Sequence, residues 1–255
     1  MAKVRLDQAL AARGLTRTRS QAESYIRLGR VTVSGRIITK PGYFVSETTD
    51  IQLAADEQLV SRAGLKLLSV IDKFHLDFQD KVVLDVGSST GGFTDLALRR
   101  GAKRVVAVDV GTDQLHPSLR SNPRIDLHEK TDIRSVFSQS LTGDTANDKV
   151  IIPDIPDLIV IDVSFISLRD ILPHIATSLS GKKTQIIAMV KPQFETGSRV
   201  KNAGVVKNDT ERRRILHDFE AWSRRHFVIR AKADSEVAGT HGNRERFYLL
   251  TTVAH

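Results

Sequence analysis

Apolar residues recur along this chain with two different periods. Near the N-terminus Leu6, Leu10 and the alanines before Arg13 lie at helical spacing, and TRSQAESYIRLGR repeats the pattern, so two short amphipathic helices are predicted. Thr18 with Gln21 and Ser20 with Glu23 both have the spacing of a capping box, and Gly29 sits where a helix stops. The period then shortens to two. Val31 and Val33 alternate with polar residues, and Ser34-Gly35 offers the positive φ of a tight turn, which makes VTVSGRII a hairpin. After a turn at Lys40-Pro41-Gly42, DIQLAA reads as another strand.

Further along, the alternation disappears. In KVVLDVG the residues Val82, Val83, Leu84 and Val86 form a continuous apolar run, as a parallel strand covered on both faces requires. RVVAVDV, LIVIDV and IIAMVK have the same character, and a late strand follows at FYLL. Such strands with helical segments between them predict an α/β fold. Ser135 to Asp157 breaks the pattern as a polar, turn-rich surface excursion. ETGSRVKNAGVVKN is a glycine-bearing basic loop, with a helix expected to start near Asp209 or Thr210.

Length and composition narrow the picture. At 255 residues the chain is expected to form one large or two unequal domains. No apolar run approaches the roughly 20 residues of a membrane span, and MAKVRLDQALAARG alternates charged and apolar residues unlike a signal sequence. A cytoplasmic protein with no membrane partner is expected. Cysteine is absent, so disulfides and thiolate metal sites are excluded, and the histidines lack metal-ligand spacing, so no metal is expected. The net charge of +8 is concentrated at the start. Residues 1 to 40 hold nine basic side chains against Asp7 and Glu23, a local balance of +7 that would attract a phosphate backbone or an anionic lipid surface.

The helix pair, the hairpin and VTVSG after LGR resemble the small RNA-binding domain of the ribosomal-protein S-four type, over about residues 3 to 55. That resemblance implies an RNA-binding face carrying Arg5, Arg17, Arg19 and Arg30. In LDVGSSTGGFTDLALRRGAKRVVAVDVG the glycine turn lacks the lysine of a Walker phosphate loop, and its G-x-x-x-G-G spacing departs from the dinucleotide fingerprint G-x-G-x-x-G. It resembles instead the first motif of S-adenosylmethionine-dependent methyltransferases. The resemblance implies a cofactor site made by Asp85, Gly87, Ser88, Ser89, Thr90, Gly91, Gly92 and Phe93. Asp109, about 20 residues beyond the glycines, is then placed to accept ribose hydroxyls, and Asp132 in HEKTDIR to meet the adenine edge.

Reactive groups of α/β sheets lie at the carboxyl ends of strands. There the chain places Asp162, in LIVIDVSFISL, and Lys191, in IIAMVKPQFE. Glu245 precedes the late strand, and Lys66 lies in LVSRAGLKLLSV. Together with the glycine turn, DVSFISL, VKPQFE and GNRERF resemble the TlyA, or haemolysin-A-like, family of ribosomal RNA ribose methyltransferases along nearly the whole chain. The resemblance implies a Rossmann-like methyltransferase with a mostly parallel seven-stranded sheet plus a small α+β RNA-binding domain. It divides the chain into an RNA-binding domain at 1–59, a linker at 60–67 and an FtsJ-like domain at 68–255. It makes Lys66, Asp162, Lys191 and Glu245 the catalytic constellation, S-adenosylmethionine the cofactor with S-adenosylhomocysteine as product, and ribosomal RNA or ribosomal subunits the partner of a monomeric enzyme. Two other readings remain at this point: a non-catalytic ribosome-assembly factor and a membrane-lytic protein.

Overall fold

The computed structural model describes residues 3–54, 59–142, 149–196, 206, 208–237, 239 and 242–253. The N-terminal module begins with β1 (Lys3–Arg5), α1 (Leu6–Ala12) and α2 (Arg19–Arg27), followed by β2 (Val31–Val33), β3 (Arg36–Ile37), β4 (Phe44–Ser46) and β5 (Ile51–Leu53). Thr18 caps α2: its side chain accepts from the Gln21 N–H, and the Gln21 side chain accepts in return from the Arg17 N–H. The hairpin at VTVSGRII forms as expected, with β2 between β3 and β5. The antiparallel ribbon of β1 with β4 escapes the sequence pattern, because three-residue strands carry too little periodicity to be read.

Next comes α3 (Arg62–Phe74). The stretch 60–67, expected as a linker, is therefore largely the first half of a helix. The reason is visible in its burial: Leu65, Leu67, Leu68, Val70, Ile71 and Phe74 pack into the core, and each fully buried aliphatic or aromatic side chain contributes about 1.5–3 kcal/mol. Residues just before α3 are anchored on both sides. Leu59 donates its N–H to the Tyr25 hydroxyl and accepts from Gln21 Nε2, and the Val60 N–H donates to Asp95 Oδ2.

The remainder is β6 (Val82–Val86), α4 (Gly92–Arg99), β7 (Arg104–Val108), α5 (Pro117–Arg120), β8 (Ile125–His128), β9 (Val136–Ser138), α6 (Gln139–Thr142), β10 (Val150–Ile152), β11 (Leu158–Ile161), α7 (Leu168–Ser178), β12 (Gln185–Val190), α8 (Asp209–Ser223), β13 (Phe227–Asp234) and β14 (Arg246–Thr252). A seven-stranded sheet runs β13-β14-β12-β11-β6-β7-β8, parallel except that β14 lies antiparallel to both its neighbours. Successive residues of β6 feed opposite faces: Val83 joins a core with α3, α4 and the N-terminal module, while Leu84 and Val86 join one with α7 and α8. Inside the polar excursion, β9 and β10 pair in parallel, and residues 143–148 lie outside the described set.

This order sets the position of the site. From β6 the chain proceeds to β7 and β8 on one side, then returns to β11 on the other, so the strand order reverses between β6 and β11. At such a switch point the two crossover connections diverge and leave a crevice at the carboxyl ends of the strands.

Candidate active site

The crevice begins at the glycine turn. Gly87 has φ +80, and a Cβ there would stand 2.7 Å from the Asp162 carbonyl oxygen, so only glycine lets the end of β6 lie against the end of β11. Asp109, at the end of β7, clasps the turn: Oδ2 accepts from the Ser89 N–H at 2.7 Å and Oδ1 from the Gly111 N–H at 2.7 Å. Gln114 accepts from Ser89 Oγ.

A cleft of about 360 Å³ opens here, with Gly87, Ser89, Asp109, Asp132, Asp162 and Phe165 among its walls. A chamber of about 140 Å³ shares Gly87, Ser89 and Asp162 with it and reaches Asp85, Phe93 and Lys191. Of the residues expected around the cofactor, Asp85, Gly87, Ser88, Ser89, Thr90, Phe93, Asp109 and Asp132 line one or both spaces; Gly91 and Gly92 line neither. Their smallness is needed for packing. Gly91 caps α4 at φ +86 beside Leu115 and Leu119, while Gly92 faces Gly64 and Ser61 of the incoming α3. Asp132 is engaged through both oxygens by Arg134, which holds its carboxyl below the usual range against a smaller effect of burial.

Asp85 differs from the other carboxylates. It is buried to 1 % exposure; Thr94 donates to Oδ2 at 2.6 Å, and among the described residues Oδ1 has no hydrogen-bond donor. Burial pushes its carboxyl up to about 7, the Thr94 hydroxyl opposes, and the negative charge of Asp162 adds to the rise.

The four residues expected to form the catalytic constellation make two ion pairs. Lys191 Nζ stands 2.6 Å from Asp162 Oδ1 and donates to Ser164 Oγ at 2.8 Å. Lys66, carried by α3, stands 2.6 Å from Glu245 Oε2, so Glu245 bonds across the domain rather than to Arg244 or Arg246 beside it. Burial raises the Glu245 carboxyl above its usual range, Lys66 pulls it down, Asp162 raises it and Lys191 lowers it. Since Glu245 feels the charges of Asp162 and Lys191 as well as Lys66, the two pairs form one electrostatic cluster. The start of β14 is fixed around Glu245: Arg212 of α8 donates to the Arg244 carbonyl and to Asp234, and Arg246 donates to the same Asp234 oxygen.

Sequence reasoning missed three contributors. Ser164 holds Lys191. Phe165 lines the cleft at φ +66, a conformation that costs a bulky residue about 1–3 kcal/mol, with its ring 5.3 Å from that of Phe194. Glu195, buried and raised in pKa by that burial, accepts from Ser167 Oγ and the Leu168 N–H, which fastens the Lys191 loop to the start of α7. VKPQFE and DVSFISL contain these residues, but nothing in either stretch signals that they meet.

The four arginines assigned to RNA have different partners within the chain. Arg5 and Arg19 converge on buried Asp7, whose carboxyl falls to about 2 because, although burial opposes ionisation, the hydrogen bonds from Arg5 and then Arg19 outweigh it. Arg17 reaches His116 Nε2, at the cap of α5, at 2.9 Å. Arg30 closes α2 through its backbone, donating to the Tyr25 carbonyl and accepting from the Ala54 N–H.

A family model of the FtsJ-like methyltransferases matches residues 59–252, and one of the S4 domain matches residues 4–51. The chain belongs to the FtsJ-like methyltransferase family. Among its curated relatives, the 16S/23S rRNA (cytidine-2'-O)-methyltransferase TlyA of Mycobacterium tuberculosis is 37% identical, with 98% of this chain and 90% of that protein covered. Hemolysin A of Brachyspira hyodysenteriae is 36% identical over 84% of this chain and 85% of its own length. A solved structure from Streptococcus thermophilus superposes with a TM-score of 0.67 at 35% identity, covering 99% of this chain and 90% of that one. This FtsJ-like methyltransferase thus carries an S4 domain at its N-terminus, and its fold is the Rossmann-like one expected from the sequence.

Proposed function

We propose that this enzyme transfers a methyl group from S-adenosylmethionine to a ribose 2′-hydroxyl of ribosomal RNA. The observation that carries this reading is the Lys191–Asp162 pair in the wall of the switch-point crevice, with the buried Lys66–Glu245 pair within reach of its charges. The crevice suits the cofactor on a feature of its own: Asp85 Oδ1 is a buried acceptor without a donor among the described residues, beside a glycine turn, and a cationic ammonium group would satisfy it. Asp85, Gly87, Ser89 and Asp109 would hold the cofactor, with Asp132 and Phe165 farther along the cleft. When bound, S-adenosylmethionine supplies an electrophilic methyl group on a sulfonium.

The protein's own residues then have three tasks. Lys191 contacts the 2′-hydroxyl, either taking its proton or, as the cation, stabilising the oxygen as it gains negative charge. Asp162 and Ser164 hold the Lys191 ammonium at 2.6 Å and 2.8 Å, which fixes its direction. Lys66 and Glu245 hold the ribose in register so that the oxygen approaches in line. No helix among the described residues is long and apolar enough to cross a membrane.

The test is transfer of labelled methyl from S-adenosylmethionine to ribosomal subunits lacking the modification, followed by alkaline hydrolysis. Label in an alkali-resistant dinucleotide, lost in Lys191→Ala, is expected. Cofactor binding without label in any RNA would reject the reading.

A further inference from the structure

A groove of about 540 Å³ lies between α2 of the N-terminal module and the segment leading into β14, and it shares no residue with the cofactor cleft or its chamber. Glu23 and Arg27 come from α2, Arg62 from the start of α3, and Glu236, Gly239 and Arg244 from the segment before β14. The groove adjoins the catalytic cluster: a Cβ on Gly239 would stand 2.5 Å from Glu245 Oε1.

Its three arginines, Arg27, Arg62 and Arg244, outnumber its two acids, Glu23 and Glu236. Glu236 is paired with Lys73 at 2.5 Å and Glu23 with Arg19 at 3.7 Å, and neither of those cations lines the groove. Arg27 is exposed at the end of α2. Arg244 is 61 % exposed, and its ion pairs with Asp209 and Asp234 are long, at 3.5 and 3.6 Å. Arg62 donates to Ser20 Oγ, which joins α3 to α2 across the groove floor. A guanidinium offers a planar fork that fits a phosphate through two hydrogen bonds.

We infer that this groove takes the phosphodiester backbone of the RNA adjoining the methylated nucleotide. The inference rests on the proposed reaction. A target ribose held beside Glu245 brings a phosphate on each side, and the strand must leave the cluster along a surface that accepts charge. Arg27 belongs to the N-terminal module and Arg244 to the catalytic domain, so one strand lying in the groove is gripped by both. That grip sets the distance between the segment recognised by the N-terminal module and the ribose that reacts.

The experiment uses the full chain and unmodified ribosomal RNA. Binding is titrated against salt for wild type, Arg27→Gln, Arg244→Gln and the double variant, with Arg213→Gln, an exposed charge on α8 outside the groove, as reference. Each groove substitution is expected to flatten the plot of log affinity against log salt by about 1, and the double variant by about 2, with the reference unchanged. KM for RNA rises while the affinity for S-adenosylmethionine stays at the wild-type value. Unchanged slopes in both single variants, or a loss equal to that of Arg213→Gln, would overturn the inference. The slope is read without any transfer, so a wild type that binds RNA and methylates none rejects the proposed reaction while the groove is still judged by its own slope.

Discussion

Replacing Asp85 by Asn tests the electrostatics of the crevice with an almost isosteric change. The wild-type carboxyl, buried beside Asp162, titrates at about 7 instead of at its ordinary 3.8. A rise of that size corresponds to about 4 kcal/mol, at about 1.36 kcal/mol for each tenfold change in proton affinity. Because the folded value is raised, the native state holds this proton more tightly than the unfolded chain does. The stability it contributes is complete below about pH 4, falls as the pH rises toward 7, and is gone above that. The amide of the Asp85→Asn variant cannot ionise. Its oxygen still accepts from Thr94, so the two proteins should have similar stability near pH 3 to 4, and the variant should be more stable by about 4 kcal/mol near pH 8. Urea unfolding of the cofactor-free protein across that range measures the difference. Glu195 and Glu245 are raised too, but they are present in both proteins and cancel in the comparison. The affinity for S-adenosylmethionine supplies the second half: a cation beside Asp85 favours its ionised form, so wild-type affinity should rise with pH up to about 7 and that of the variant should stay flat. A stability difference independent of pH would refute the reasoning.

Other outcomes follow from the same geometry. Glu245→Ala leaves the ammonium of Lys66, 10 % exposed, without its partner and should cost about 3–5 kcal/mol in unfolding free energy; Lys66→Met combined with Glu245→Leu should recover most of that loss without recovering methyl transfer. Recovery of activity in the double variant would argue against a role for the pair in the reaction. Gly64→Ala places a Cβ 2.6 Å from the Gly92 carbonyl oxygen, so α3 must move away from α4; a loss of about 1–3 kcal/mol, measured by thermal unfolding, should accompany reduced transfer. Asp7, whose carboxyl is depressed to about 2, contributes about 2 kcal/mol that is present above its ordinary 3.8 and lost as the pH falls toward 2, so Asp7→Asn should be less stable than wild type at neutral pH and approach it in acid.

Much of the catalytic domain is legible along the chain because burial leaves a local record. A strand covered on both faces must be apolar at nearly every position, and KVVLDVG, RVVAVDV, LIVIDV and IIAMVK are; each ends on the residue where a parallel sheet exposes its chemistry, hence Asp109, Asp162 and Lys191. Helix α2 is legible for a related reason, since Thr18 and Gln21 satisfy its first N–H groups within four residues of sequence. Where an element is too short to show a period, the reading fails: Lys3–Arg5 and Phe44–Ser46 are too short to reveal a ribbon, while the linker at 60–67, taken from the family resemblance, coincides from Arg62 on with the start of α3.

What the sequence determined by itself is therefore the α/β class and the glycine turn, since each depends on side-chain periodicity or turn chemistry within a few positions; Lys66, Asp162, Lys191 and Glu245 stood out as a set only through the family resemblance. Only the tertiary structure decided who pairs with whom. Lys66 finds Glu245 because β14 inserts between β12 and β13, Lys191 finds Asp162 because β11 and β12 are neighbours, and Arg5 and Arg19, though partly exposed, converge on Asp7. Gly92 serves helix packing, and Asp85 holds its proton to about 7, for the same reason. Partnership and desolvation depend on distance through space and on the exclusion of water by the whole fold, and neither is encoded at any one place along the chain.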